Sequence, residues 1–143
     1  MFVCLCTGTT SHVVNGGGDV QLVGGSGAGR PWRVGIAHPL RPRRLVAVVS
    51  ATDAAVATSG TAERGRHIVD PHRGVPADGC ASTTVVGPRL AWVDACATAA
   101  FAMGLDRGLA WIESLPGLEA LAVTPGGRTR HTTGFERWGT LTA

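Results

Sequence analysis

Asp94 and Thr98 are the residues whose spacing points most directly to chemistry. They lie four positions apart, so on a helix a carboxylate and a hydroxyl would project from one face about one turn apart. Magnesium commonly takes only one or two protein oxygens and completes its octahedron with waters and substrate phosphates. Spacing alone is more typical of a hydrogen-bonded or accidental pair. The apolar neighbours Trp92 and Val93 favour a metal, because a buried carboxylate needs a partner or an ion.

The segment from His67 to Pro76 is a second candidate site. Two prolines and a glycine within six residues predict a rigid loop directly after a short strand. The imidazole and guanidinium groups of His67, His72 and Arg73 could then reach a phosphate or a flat heterocycle. The residues alone favour the simpler interpretation, a rigid surface loop with solvated His and Arg.

Two further segments carry groups that can hold phosphate. Thr58–Arg64 follows a strand with small hydroxylated residues and a Glu–Arg pair, a pattern equally typical of a turn with Ser and Thr caps. Asn15–Asp19 is a glycine-rich loop, but it lacks the lysine of a phosphate-binding P-loop and has no helix behind it.

The order of the expected elements, strands followed by two helices and then strands again, predicts an α+β fold with a mixed or antiparallel sheet packed against two helices. Apolar residues at intervals of three and four predict a helix over Arg89–Met103, and Asp106 is the expected cap of a second helix ending near Leu115. Strands are expected in short apolar or β-branched runs: Val20–Val23, Trp32–Ile36, Arg44–Ser50, Ala54–Ala57, His67–Val69, Ser82–Val86, Leu118–Val123 and Arg128–His131.

Six segments, taken in order, resemble the FAD:protein FMN transferases, the magnesium-dependent ApbE family. The Thr-Ser-Gly and His-Ile-Val-Asp-Pro pieces are the most specific of them. The resemblance covers nearly the whole chain from Asn15 onward and rests on these segments: Asn15–Asp19, Arg30–Ile36, Ala57–Gly60, His67–Pro71, Ser82–Val86 and Asp94–Ala99.

The resemblance implies a T-fold-like domain with FAD as substrate and Mg²⁺ as cofactor. An acceptor protein's Thr or Ser hydroxyl would attack the FMN phosphorus, and AMP would leave. Asp94 and Thr98 would bind magnesium, and no catalytic residue is assigned. The implied contacts to the nucleotide are Thr58, Ser59, Glu63, His67, Ile68 and Pro71.

The chain departs from the family at its start. We expect residues 1–14 to be an unrelated or disordered leader and residues 15–143 to be the C-terminal part of the transferase domain. The first dozen residues, with Cys4 and Cys6, resemble the start of a bacterioferritin-associated-ferredoxin-like domain, but a cluster needs four suitably spaced thiolates and we expect none. A truncated transferase is therefore expected, with weak FAD binding, no measurable transfer by itself and a tendency to self-associate. The alternative is a non-catalytic flavin- or protein-binding remnant.

Composition and charge argue against a nucleic-acid-binding, membrane or secreted protein. The net charge of +3 comes from 13 basic residues that are all arginine, and they are scattered apart from a small group at Arg41–Arg44. There is no aromatic interleaving or nucleic-acid motif, so we expect no nucleic-acid partner. No apolar run reaches membrane-spanning length and no signal peptide is present, so we expect no membrane association and a cytoplasmic protein with free thiols.

Overall fold

The computed structural model describes residues 8–62 and 65–142. Its helices are α1 Leu90–Met103 and α2 Leu105–Glu113, and a 3₁₀ turn spans Phe135–Arg137. The strands are β1 His12–Gly16, β2 Asp19–Val23, β3 Trp32–Ala37, β4 Leu45–Ala51, β5 Ala54–Gly60, β6 Val69–Asp70, β7 Val75–Pro76, β8 Ser82–Gly87, β9 Glu119–Val123, β10 Thr129–His131 and β11 Gly139–Leu141.

The strands form three sheets, and every pairing is antiparallel. The main sheet has the order β1-β2-β5-β8-β9-β10, a second sheet has the order β11-β4-β3, and β6 pairs only with β7. The expected α+β class with an antiparallel sheet and two helices is confirmed. What the sequence did not predict is the separation of β3, β4 and β11 into a sheet of their own.

The main sheet is covered on both faces. Successive strand residues point to opposite sides, so Ala57 and Val85 pack with α1 and α2 while Val56 and Val86 pack against the second sheet. Phe101 fills the helix side, and Phe135 fills the other side. This two-sided burial explains why Ser82–Gly87 is buried at every position, including its three hydroxylated residues Ser82, Thr83 and Thr84.

The junction between the helices depends on two glycines. Gly104 has φ +83° and serves as both the end of α1 and the N-cap of α2. A side chain at Gly108 would overlap the carbonyl of Ala100, so this glycine permits the close approach of α2 to α1. The expectation that Asp106 caps α2 is wrong, because the chain reverses at Gly104 and Asp106 falls within the first helical turn.

The predicted boundary between residues 14 and 15 falls inside β1. Val13 and Val14 pair with Leu22 and Gln21 of β2, across a turn at Gly17 and Gly18 whose φ values are both positive. That turn matches the two-residue hairpin loop favoured by the twist of antiparallel strands. Residues 12–14 therefore belong to the sheet, while Cys4 and Cys6 lie outside the described residues. Neither α1 nor α2 is long and apolar enough to cross a membrane, within the part of the chain that the structure describes.

Candidate functional site

The candidate site is built where β5 meets α1. The hydroxyl oxygens of Ser59 on β5 and Thr98 on α1 lie 2.9 Å apart. Ser59 is buried, with 8% of its surface exposed, whereas Thr98 is exposed. The contact therefore brings two of the residues singled out in the sequence together at the surface.

Asp94 lies one helical turn before Thr98 on the outward face of α1. The expectation that its carboxylate is buried among apolar neighbours is wrong, because both Asp94 and Trp92 are exposed. The helix turns its apolar side, including Val93 and Ala97, into the core and leaves the positions between them in solvent. Asp94 is thus free to bind a cation without the cost of burying a charge.

The oxygen donors on α1 suit magnesium better than a transition metal. Within residues 8–62 and 65–142, no three His, Cys, Asp or Glu side chains come together to hold a metal ion. Asp94 and Thr98 supply one carboxylate and one hydroxyl, which are hard ligands of the kind magnesium accepts when waters and phosphates fill the other positions. The residues present fit a magnesium ion whose coordination is shared with a substrate.

A residue missed by the sequence argument lies beside Ser59. Thr83 of β8 pairs with Ser59 in the main sheet and is 2% exposed, and its hydroxyl has no hydrogen-bond partner. Thr83 lies two residues before Val85 on β8, so both side chains point to the same face of the sheet, the face that packs with α1. Burial raises the pKa of the nearby Cys80 thiol, and its contact with this hydroxyl lowers that pKa by a smaller amount. An unpaired buried hydroxyl costs about 1–3 kcal/mol, so this corner of the fold lacks a polar partner.

Thr58 does not join this group. Its hydroxyl lies 2.8 Å from that of Thr84, and its backbone amide donates to Asp19 at 3.1 Å. Because Thr58 and Ser59 are adjacent on one strand, their side chains project from opposite faces of the sheet. The same geometry explains the Asn-Gly-Gly-Gly-Asp segment: Asn15 accepts from the Gly18 amide at 3.0 Å and Asp19 fixes β5, so both act structurally.

The loop from His67 to Pro76 is the small hairpin of β6 and β7. Asp70 accepts hydrogen bonds from the amides of His72 and Arg73, at 2.8 and 3.4 Å, and the first of these is the main cause that lowers the pKa of the Asp70 carboxyl. Gly74, with φ +67°, completes the turn by donating to the Asp70 carbonyl at 2.8 Å. The rigid loop expected from the sequence is therefore held by Asp70 rather than by the prolines alone.

The hairpin is attached to the α1 side of the molecule. Ile68 is half-buried against the apolar cluster that includes Cys96 and Phe101, and its carbonyl accepts from the Ala77 amide at 2.9 Å. His67 is exposed, and its Nδ1 lies 3.1 Å from the carbonyl oxygen of Gly65. Pro71 is exposed at the turn, and Glu63 lies outside the described residues. The hairpin and the outward face of α1 thus border the same side of the fold.

Comparisons with known proteins agree with this arrangement. The sequence model of the ApbE family matches residues 3–122, which is most of the chain. The protein belongs to the ApbE family. The family match begins before β1, in the stretch that the sequence analysis set apart as a leader.

Curated relatives carry one name. The chain is 37% identical over 114 residues to an FAD:protein FMN transferase of Treponema pallidum, an alignment that covers 73% of this chain and 32% of that protein. It is 33% identical over 117 residues to the FAD:protein FMN transferase of Vibrio cholerae, covering 75% of this chain and 35% of the relative. The chain therefore spans about a third of the length of these relatives.

Solved structures show the same relationship in three dimensions. The ApbE protein of Thermotoga maritima superposes with a TM-score of 0.81 at 31% identity, over 90% of this chain and 44% of that one. The flavin transferase ApbE of Vibrio cholerae gives a TM-score of 0.74 at 30% identity, over 88% of this chain and 43% of that one. The two sheets and two helices are thus a segment of the ApbE fold.

Proposed function

We propose that the surface formed by β5, α1 and the β6–β7 hairpin binds FAD together with magnesium, for the transfer of FMN to a target protein. The observation that carries the proposal is the hydroxyl contact between Ser59 and Thr98, one turn from the exposed carboxylate of Asp94. The unpaired hydroxyl of Thr83 supports it, because a polar ligand reaching this corner would supply the missing partner.

The role of each residue comes from the family resemblance, and for the described residues their position in the fold supports it. Asp94 and Thr98 would hold magnesium against the diphosphate, and Ser59 with Glu63 would lie at the nucleotide end. The hairpin would hold the flavin nucleotide through His67, Ile68 and Pro71. Thr58 would contribute to the FAD site only by holding the backbone next to Ser59. Its hydroxyl contacts Thr84 on the other face of the sheet.

The reaction is a phosphoryl transfer. The hydroxyl oxygen of an acceptor Thr or Ser forms a bond to the FMN phosphorus while the bond from that phosphorus to the bridging oxygen breaks. AMP leaves with the bridging oxygen, and the acceptor's hydroxyl proton is released. When bound, magnesium neutralises the charge that develops on the phosphates. Asp94 and Thr98 orient that ion, and the rigid hairpin limits the positions that the flavin can take.

Further parts of the proposal rest on the sequence. The cytoplasm is the expected compartment, and the acceptor is a protein with a Thr or Ser flavinylation site. Self-association is expected because the outward face of α1 exposes apolar side chains, with Trp92 48% and Met103 37% exposed. The competing function is a flavin- or protein-binding remnant, and the observation that favours it is that the chain spans only a third of its curated relatives.

Titration of FAD into the protein, followed by quenching of flavin fluorescence, tests the proposal. We expect tighter binding with magnesium than with a chelator, and Asp94→Ala should remove that difference. Asp106→Ala is a matched control, since it deletes another exposed carboxylate from the neighbouring helix, where among the described residues it forms a 3.7 Å surface ion pair with Arg130. Equal FAD affinity with and without magnesium in the folded wild-type chain would refute the proposal. Release of AMP on addition of an acceptor protein would separate the transferase from the remnant.

A further inference from the structure

A basic concavity lies on the opposite side of the main sheet from α1. It has a volume of about 180 Å³ and forms where the loop between β3 and β4 approaches β10 and the end of β11. Its lining includes His38, Arg41, Arg44, Gly127, Thr129 and Thr142. Because the second sheet packs against the face of the main sheet that α1 does not cover, this concavity is separate from the proposed FAD site.

Arg41 and Arg44 have no acidic partner among the residues that the structure describes. No Asp or Glu is among its lining residues. The ion pairs within residues 8–62 and 65–142 use Arg66, Arg73, Arg130 and Arg137, and none of them involves Arg41 or Arg44. Arg41 and Arg44 both line this concavity, and positive charges that come close together repel unless an anion lies between them.

The loop that carries the two arginines has a fixed backbone. The His38 amide donates to the Arg44 carbonyl at 2.9 Å, and the Arg44 amide donates to the Arg41 carbonyl at 3.2 Å. Between them Arg43 adopts φ +63°, a left-handed conformation that a non-glycine residue occupies at a cost of roughly 1–2 kcal/mol. The loop thus fixes the backbone from which Arg41 and Arg44 extend, which lowers the backbone part of the entropy cost of binding.

The size of the concavity limits the ligand. Pockets for drug-sized molecules are usually about 300–1,000 Å³, so a volume of about 180 Å³ suits a small group rather than a whole dinucleotide. Arginine recognises phosphate through paired hydrogen bonds in a fixed fork. Thr129 at the rim adds a polar group that suits the same oxygen-rich ligand, whereas the hydroxyl of Thr142 already donates to the Leu45 carbonyl.

We propose that this concavity is a second anion site, which binds a phosphate dianion through Arg41 and Arg44. The ligand is inorganic phosphate or the phosphate of a monoester, since both present the same terminal oxygens. The site does not depend on the proposed transferase function, because it shares no residue with the surface around Asp94 and Thr98.

NMR titration of the 143-residue protein with sodium phosphate at constant ionic strength and without magnesium tests this inference. We expect saturable shifts confined to the backbone amides of residues 38–46, 127–129 and 142, apart from Pro39 and Pro42, which have no amide proton. Arg41→Ala and Arg44→Ala should each weaken binding at least about tenfold, which corresponds to about 1.4 kcal/mol. Arg43→Ala is the matched control, because it removes the same charge from the same loop without touching the lining, and it should weaken binding less than about twofold.

Two further ligands and two control results decide whether the concavity binds phosphate specifically. Methyl phosphate binding as tightly as inorganic phosphate would assign the site to phosphate esters, and much weaker binding would assign it to free phosphate; either supports the inference. A hexaglutamate peptide that shifts the same amides at lower concentration than phosphate would overturn it in favour of an acidic protein partner. Absence of saturation, or an equal loss in Arg43→Ala, would overturn it by reducing the effect to general charge.

Discussion

The hydroxyl of Ser59 on β5 contacts the hydroxyl of Thr98 on α1 at 2.9 Å, and this contact fixes the helix that carries Asp94 against the main sheet. The adjacent residue Thr58 makes a comparable contact, 2.8 Å to Thr84, on the opposite face of the same sheet. The hydroxyls of Thr58 and Ser59 thus make similar hydrogen bonds on opposite faces of the sheet. Substitution of each residue can therefore separate an effect on stability from an effect on ligand binding.

Ser59→Ala should lower both stability and ligand affinity. Removal of the buried hydroxyl breaks the contact with Thr98 and should cost about 1 kcal/mol in the free energy of unfolding. It should also weaken magnesium-dependent FAD binding, because Thr98 loses the partner that orients it. Urea denaturation and flavin fluorescence measure the two effects. Thr58→Val is the control: it should destabilise by a similar amount and leave FAD affinity unchanged. Equal loss of FAD affinity in both variants would contradict the assignment of Ser59 to the site.

Thr83→Val should stabilise the protein while weakening FAD binding. The threonine hydroxyl is buried without a partner, and an apolar group of the same shape removes a desolvation cost of about 1–3 kcal/mol. If the hydroxyl serves the ligand, its loss must appear as lower affinity. Thermal unfolding with and without FAD measures both. Thr132→Val is the comparison, since the hydroxyl of that buried threonine accepts from the Ala120 amide at 2.9 Å and contacts Glu119, so its removal should destabilise. A destabilised Thr83→Val variant would show that its hydroxyl is already satisfied.

Stability should fall below about pH 4.5 in a way that depends on Glu113. The hydroxyl and amide of Thr133 donate to this carboxylate, and the hydroxyl is the main cause that lowers the pKa of Glu113 below its ordinary value of 4.5. A carboxyl whose folded pKa is depressed stabilises the fold above its unfolded pKa, and this stabilisation is lost as the pH falls through the folded value. Glu113→Gln should therefore cost stability at neutral pH and progressively less in acid. Denaturant titrations across this range, with Thr133→Val to complete a double-mutant cycle, check it. A difference that stays constant with pH would exclude the carboxylate as the cause.

The sequence predicted the elements better than their arrangement. The helix expected over Arg89–Met103 is α1 at Leu90–Met103, because its long run of apolar residues and alanines ends at Gly104. The three-residue strand β11 was not predicted, since Gly139–Leu141 becomes a strand only by pairing with β4. No local pattern distinguishes strands of one sheet from strands of another. The division into two sheets depends on which apolar faces meet.

The candidate site was predicted from the order of its motifs, and its geometry was not. Asp94 and Thr98 share a helix face, as their spacing required. Thr58 and Ser59 point in opposite directions because side chains alternate along a strand. The sequence did not predict this, since the expected strand ended at Ala57 whereas β5 continues to Gly60. Thr83 could not have been found, because its lack of a partner depends on everything packed around it.

The isolated chain should bind FAD weakly and transfer no measurable FMN. Phosphoryl transfer requires every group around the diphosphate to be in place at once, and loss of a single preorganised donor typically lowers the rate about 100- to 1,000-fold. The described residues supply the two proposed magnesium ligands, Asp94 and Thr98, on an exposed helix face and one rigid hairpin beside it. Nothing in that part of the chain covers the face, so water would reach the phosphates and weaken each electrostatic contact. Mass spectrometry of a Thr-containing acceptor incubated with FAD and magnesium checks this, with the Vibrio cholerae transferase as positive control. Magnesium-dependent addition of FMN by the 143-residue chain alone would contradict the prediction, and it would mean that this third of the family's length carries all the catalytic groups.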